Sequence, residues 1–542
     1  MSYRAPLQDI RFQLENIVGY DRLASQFPEA DLDTAMMMLE QAGKIAEEQF
    51  LPLRIPMDLA PVKLNGDEVI TPAGVGEALD VLAESGLTGI AASEEHGGLG
   101  FPLVTQIASN EFLAAANLAL QLCPLLTQGQ IEALEAHASD AIKAEVLPKL
   151  ISGEWTGTML LTEPSAGTDV GALKSKATPN NDESYSLSGQ KIFITWGEHR
   201  HAENISHLAL ARLPDAPQGA KGISLFYVPK FLADGSRNNI KAIGLEHKLG
   251  IHGSPTCVME MDGAKGFLVG EENNGLAAMF TMMNNARLNV GTQGVAIAEA
   301  AFQDAADFAR ERVQGRVKGG ETGKIIDHAD VRRMLLDMKT KARIGRALTL
   351  DCAIAIDLGK ADPALAARAG VLTPLAKSYG TDIGCENAHE CVQVYGGMGF
   401  IEETGVAQYS RDVRITPIYE GTNGVQAMDL IGRKMMDDGA AIFALIDDMT
   451  HAIDDAKAAL IAATKALLER DMNTRGADAV AYQRAFASVL GSHYLAKGAA
   501  SSKEYAKLSA DFNLRELPAQ IARLTSIANA PRDVYAFGAV EF

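Results

Sequence analysis

The sequence predicts an α+β protein in which blocks of helix flank a single block of strand. Apolar residues recur at helical spacing along residues 31–48 (Met36, Leu39, Ala42, Ile45, Ala46) and again from residue 276 onward. Between about 153 and 270 the segments shorten and become rich in β-branched and aromatic residues. Strands and helices are segregated rather than alternating, which argues against a βαβ sheet.

Taken in order, residues 1–155 read as helical. The nearly continuous apolar stretch 110–126 reads as one buried helix, and 93–102 as a glycine-rich loop. Segments 184–188, 191–195, 207–211, 222–228 and 257–261 read as antiparallel strands. Turn clusters at 179–182 and 234–237 separate them, and a small barrel-like domain is expected. Helical spacing returns in 294–312, 329–359 and 365–388, and residues 439–542 read as an appended helical unit. The expected domains are therefore 1–155, 156–272, 273–438 and 439–542.

Composition narrows the function classes. At 47% apolar and 22% charged residues the chain is an ordinary soluble type, long enough for several cores. Acids outnumber bases 69 to 49, and a formal charge of -20 disfavours nonspecific binding to nucleic acid or anionic membrane. The appended unit carries Asp447, Asp448, Asp454 and Asp455 rather than a basic stripe. Cys123, Cys257, Cys352, Cys385 and Cys391 form no CxxC pair, so a reduced, cytoplasmic protein is expected. No run of 18 apolar residues occurs and the N-terminus has no signal core, so neither a membrane span nor an export signal is expected.

Among possible sites, Ile415-Thr416-Pro417-Ile418-Tyr419-Glu420-Gly421-Thr422-Asn423 is the most informative stretch. It places a carboxylate between an apolar approach and a turn with open backbone N–H groups, an arrangement suited to removing a proton next to a carbonyl. An ordinary helix start, capped by Thr422 or Asn423 with Glu420 a solvated loop acid, is the reading this stretch favours by itself, since turns of this composition are common. Residues 159–169 read as a strand ending in hydroxyls (Thr162, Ser165, Thr168) that could hold a flat heterocycle or a phosphate. Residues 189–197 read as an aromatic-bearing strand ending in Thr195, against the alternative of a strand with Trp196 in the core. Two further patterns fail. The 319–325 segment has the wrong glycine spacing for a phosphate loop, and 396–399 lacks a complete dinucleotide fingerprint. His199 and His201 lack partners at metal-ligand spacing and read as a solvated loop, so no metal is expected.

In combination the segments 93–102, 160–169, 190–197, 248–256, 312–314, 393–397 and 419–423, in that order, resemble the acyl-CoA dehydrogenase flavoprotein family over about residues 35–436. Residues 3–12, His252 and the appended unit are similar to a branch that includes 3-methylmercaptopropionyl-CoA dehydrogenases and enzymes for ordinary fatty acyl-CoA. The resemblance implies a helical N-terminal domain, a barrel-like middle domain and a four-helix C-terminal bundle.

It also implies FAD as cofactor, with Glu420 removing the α-proton of an acyl-CoA thioester and flavin N5 accepting the β-hydride to leave a trans-2-enoyl-CoA. Leu161, Thr162, Gly167, Thr168, Phe193, Ile194 and Thr195 would meet the flavin. Arg312, Gln314, Gln393 and Gly397 would hold the pyrophosphate and adenosine part across a subunit interface, and Thr422 and Asn423 would complete the FAD contacts. Thr168, Asn284, Arg287 and Gly421 would meet the acyl-CoA. Trp196 stands where a smaller polar residue is common, and Ala329 where a side-chain donor is. The implied partners are an acyl-CoA, an electron-transferring flavoprotein and a second copy of the chain, as a homodimer or a dimer of dimers. An oxygen-using acyl-CoA oxidase and a nucleic-acid-binding relative are the alternatives.

Overall fold

Asp31 opens the first long helix, Leu32–Ile45, by accepting a hydrogen bond from Thr34 N at 2.8 Å, satisfying an amide the helix leaves open. The computed structural model describes residues 3–539, and the block order within them is helix, sheet, helix, as predicted. The apolar run at 110–126 is two helices, not one. Leu103–Ala116 ends where Asn117 takes extended backbone, and the Asn117 side chain caps Leu118–His137 through Leu120 N at 3.2 Å. A side chain able to take a backbone donor outcompetes helix continuation here. The region read as helical also contains a hairpin, β1 (Lys63–Asn65) with β2 (Glu68–Ile70), turning at Gly66 with φ +66°.

The remaining strands are β3 (Trp155–Leu160), β4 (Lys176–Pro179), β5 (Tyr185–Thr195), β6 (Asn204–Ala211), β7 (Ser224–Pro229), β8 (Ile240–Leu245) and β9 (Thr256–Val269). Their order is β3-β6-β7-β9-β5-β4, with β8 also on β9. Long β9 joins the two halves by pairing with β7 at one end and with β5 and β8 at the other. Two expectations are corrected. The sheet is mixed rather than antiparallel, because β3 and β6 run parallel. It is also not a closed barrel. The chain leaves β3 at Leu160, and across that side only two contacts approach closure. One is an isolated bridge of β4 to Arg212, just past β6 (Ala177 N to Arg212 O at 2.8 Å, Arg212 N to Ser175 O at 2.9 Å). The other is a bond from β5 to the loop after β3 (Ile192 N to Thr162 O at 2.9 Å).

Three long helices follow, Gly275–Glu311, Ala329–Gly359 and Pro363–Tyr395, with the short Asn423–Ile431 as a fourth. The first and third cross at a glycine contact: a Cβ on Gly294 would lie 2.1 Å from Gly380 O. That close approach brings Arg287 and Lys377, on facing helices, to the same region. The appended unit packs on this bundle through Gln483 Nε2 to Pro374 O (3.0 Å) and Tyr494 OH to Asp351 Oδ2 (2.7 Å). It also reaches the chain's beginning, where Tyr505 OH donates to Asp9 Oδ1 at 2.8 Å. Beneath that contact Arg346 is wholly buried against Asp9, Glu111 and Glu299. Among the described residues no helix is long and apolar enough to cross a membrane.

Candidate active site

The loop after the Ala407–Val413 helix folds back on itself: Tyr419 N donates to Ile415 O (3.1 Å) and Asn423 N to Pro417 O (3.0 Å). This forces Glu420 into the left-handed region, at φ +55°, followed by Gly421 at +82°. A non-glycine residue held there costs about 1 kcal/mol or more, so the surroundings must over-determine it. Gln426 Nε2 does part of this by donating to Glu420 O at 3.1 Å. Thr422 Oγ1 accepts from Val425 N at 3.2 Å and caps the Asn423–Ile431 helix. The turn is therefore a helix cap, yet Glu420 is not a solvated loop acid. It is partly buried, and burial raises its pKa against the opposing charges of Arg287 and Lys377. Among the described residues, neither the Glu420 nor the Gly421 N–H has an acceptor. A base thus stands beside two open donors.

Arg287 is buried, and its pKa is lowered by burial although Asp429 and Glu420 oppose this. Asn284, one turn away and exposed, takes a long bond from Arg287 Nη1 at 3.4 Å. Asn423 spends its amide within the chain, its Nδ2 donating to Asp382 Oδ1 (2.8 Å) and Thr381 Oγ1 (3.0 Å) and its Oδ1 accepting from Lys377 Nζ (2.9 Å). Its side-chain amide donors are thus engaged within the chain, leaving its backbone for the expected cofactor contact. Tyr419 OH donates to Gln293 Oε1, and Gln293 Nε2 to Gln121 Oε1 at 3.0 Å. The buried Gln121 Nε2 has no partner among the described residues. Two further buried amides on those helices, Gln128 and Asn289, accept from Asn110 Nδ2 on the Leu103–Ala116 helix, Gln128 Oε1 at 2.8 Å and Asn289 Oδ1 at 2.7 Å.

A second group forms where β3 and β5 end. The Ile192 N to Thr162 O bond and Lys191 Nζ to Leu161 O (3.2 Å) tie the 161–168 loop to the Phe193 segment. Phe193, at φ +61°, leaves 58% of its surface exposed. Thr168 is exposed, and a Cβ on Gly167 would meet nothing within 4 Å. Hydroxyl, open backbone and an uncovered ring side by side suit the edge and face of a flat heterocycle. Thr195 is half-buried. Ile194 packs in the sheet core, so only its backbone can face such a group. Trp196 is likewise core, fully buried with Nε1 bonded to Ala119 O at 3.2 Å, and walls nothing. His199, read as solvated, is buried against Trp196 and pairs with Thr156 Oγ1 at 2.9 Å.

A third group lies at the far helix ends. Phe308 and Tyr395 stack with ring centroids 4.0 Å apart, bringing exposed Arg312 and Gln314 towards exposed Gln393 and Gly397. Arg312 lies 25 residues beyond Arg287, the last of them just past the helix end, or ~37 Å at helical rise. Within one chain this group does not meet Glu420. Lys377, Gln426, Gln293 and Asp382 escaped the sequence reading. A lysine inside the apolar run 369–384 was a usable signal for the first.

Family models match in series: "Acyl-CoA dehydrogenase, N-terminal domain" over residues 33–154, "middle domain" over 158–264 and "C-terminal domain" over 273–436. The 3-methylmercaptopropionyl-CoA dehydrogenase of Ruegeria pomeroyi is 47% identical over 454 residues, covering 81% of this chain and 77% of its own. The structure of butyryl-CoA dehydrogenase from Megasphaera elsdenii superposes with TM-score 0.64 at 29% identity, covering 74% of this chain and 98% of that one. The Caenorhabditis elegans ACDH-11 structure, in complex with C11-CoA, covers 98% of this chain and 92% of its own, with TM-score 0.78. At 20% identity it speaks to the fold alone, appended unit included.

Proposed function

The chain belongs to the acyl-CoA dehydrogenase family, and we propose that it removes the α- and β-hydrogens of an acyl-CoA thioester with Glu420 as base and FAD as cofactor. The observation that carries the proposal is the Glu420 turn: a partly buried carboxylate of raised proton affinity, held in a left-handed conformation beside unused N–H donors.

An α-proton of a thioester is too weakly acidic for a carboxylate in water. The chain lowers that barrier in two ways. Partial burial makes Glu420 a stronger base. The Glu420 N–H can donate to the thioester oxygen as negative charge develops there. Arg287 and Lys377 oppose that rise by favouring the ionised carboxylate. Thr168, Asn284, Arg287 and Gly421 are the proposed acyl-CoA contacts.

FAD, when bound, supplies the acceptor for the β-hydrogen. Leu161, Thr162, Gly167, Thr168, Phe193, Thr195 and the backbone of Ile194 would hold its ring, with Thr422 and the backbone of Asn423 beside the base. Arg312, Gln314, Gln393 and Gly397 would hold its phosphate and adenosine part. The ~37 Å between these groups in one chain supports a site shared with a second copy, hence a homodimer or a dimer of dimers.

The acyl group is proposed to be short and tolerant of a heteroatom. The R. pomeroyi relative supports this. The electron acceptor is proposed to be an electron-transferring flavoprotein. Mixing anaerobic holoprotein with butanoyl-, octanoyl-, palmitoyl-, isobutanoyl- and 3-methylmercaptopropionyl-CoA tests the proposal. Flavin bleaching fastest with the short acyl groups is expected, and no bleaching with any of them would refute it.

A further inference from the structure

Lys377 is wholly buried in the middle of the Pro363–Tyr395 helix. A buried ammonium is costly unless it is paired, and the usual partner is a carboxylate at contact distance. Lys377 has none: among the described residues no Asp or Glu oxygen lies within 4.0 Å of its Nζ, and its one hydrogen bond, at 2.9 Å, goes to the neutral Asn423 Oδ1. Asn423 is three residues from Glu420 and closes its turn through Asn423 N to Pro417 O. The charge is thus aimed at the Glu420 turn without being neutralised by it.

Resting on the acyl-CoA dehydrogenase reading above, we propose that Lys377 is a positioning residue for the base. Its ammonium anchors the Glu420 turn through Asn423 and supplies a fixed positive charge that keeps the Glu420 carboxylate ionised. Charges face this pair from each packed element. Glu420 and Asp382 attract Lys377, and Arg287, on the facing helix, repels it. Arg287 in turn answers to Asp429 and Arg433, and Asp382 to Arg484 and Glu386. Burial lowers Lys377 to about 8, so its charge persists at neutral pH and fades on the alkaline side. A structural lysine would not need this placement. A neutral side chain of similar volume would fill the space at less cost.

The test compares wild-type holoprotein with Lys377→Gln, which can still donate to Asn423 Oδ1 but carries no charge, and Lys377→Arg, which keeps the charge. The readout is the anaerobic rate of flavin reduction by a saturating acyl-CoA from pH 5.5 to 9. The acidic limb of the Lys377→Gln profile is expected to move to higher pH, giving about fivefold to tenfold slower reduction at its acidic end, with FAD content unchanged. Lys377→Arg is expected to keep the wild-type limb. Lys377→Met gives the same reading should Lys377→Gln not fold. An unshifted limb in the neutral variant overturns the inference while leaving the family reading intact. Absence of bleaching in the wild type overturns both.

Discussion

Gln426 Nε2 donates to the main-chain carbonyl of Glu420 at 3.1 Å, a bond from the first turn of a helix back to the residue two before its Thr422 cap. It braces a φ of +55° that Glu420 would not adopt unaided. Gln426→Ala should therefore let the turn relax while sparing the fold. The expected result is flavin reduction slowed about tenfold with FAD retained, read by stopped-flow absorbance. An unchanged rate would show that the brace is unnecessary.

Glu420 itself should burden stability. Its folded-state pKa is raised by burial, so the folded state binds its proton more tightly than the unfolded chain does. The stabilisation this gives is present below the ordinary carboxylate range and is lost as pH rises through the raised value. Glu420→Gln removes the buried charge. It should melt above wild type at pH 8 and level with it near pH 4, measured on matched FAD-loaded protein.

Phe193 presents 58% of its surface to solvent from a left-handed backbone, so it contributes little to the sheet core. Phe193→Ala should leave the melting of FAD-free protein within ~0.5 kcal/mol of wild type. FAD dissociation should accelerate severalfold, followed by the recovery of flavin fluorescence. Loss of apo stability would place the ring in the core instead.

Arg346 joins Asp9, Glu111 and Glu299 where the first helix, the bundle and the appended unit converge. Truncating it leaves buried carboxylates facing one another. Arg346→Met should cost about 3–5 kcal/mol in chemical denaturation. Tyr505→Phe, which removes one bond to Asp9, should cost about 1 kcal/mol.

Long periodic elements were legible in the sequence. The 329–359 segment is a helix with those bounds, because its spacing is unbroken. The break at Asn117 was not, since a capping amide inside an apolar run only declares itself once its backbone bonds are known. The β1–β2 hairpin was missed although Asn65-Gly66 is a strong turn signal, because the flanking helical pattern dominated. β8 was missed because Ile240–Leu245 is short and broken by Gly244. Within the site, Glu420 stood out as a base only in combination with the six other ordered segments, because its own neighbours fit a helix cap too. The significance of Lys377 was not legible, because its partner Asn423 is 46 residues away. For Trp196 the sequence left a cofactor wall and a core position both open, and the irregular register between Lys191 and Ile194 turns Trp196 and Ile194 inward.

The most direct test of the central claim is anaerobic flavin reduction by 3-methylmercaptopropionyl-CoA and butanoyl-CoA, wild type against Glu420→Gln, in protein carrying equal FAD. The account predicts rapid bleaching of the wild type and a yellow, unbleached flavin in Glu420→Gln. Bleaching of the variant at the wild-type rate would contradict it.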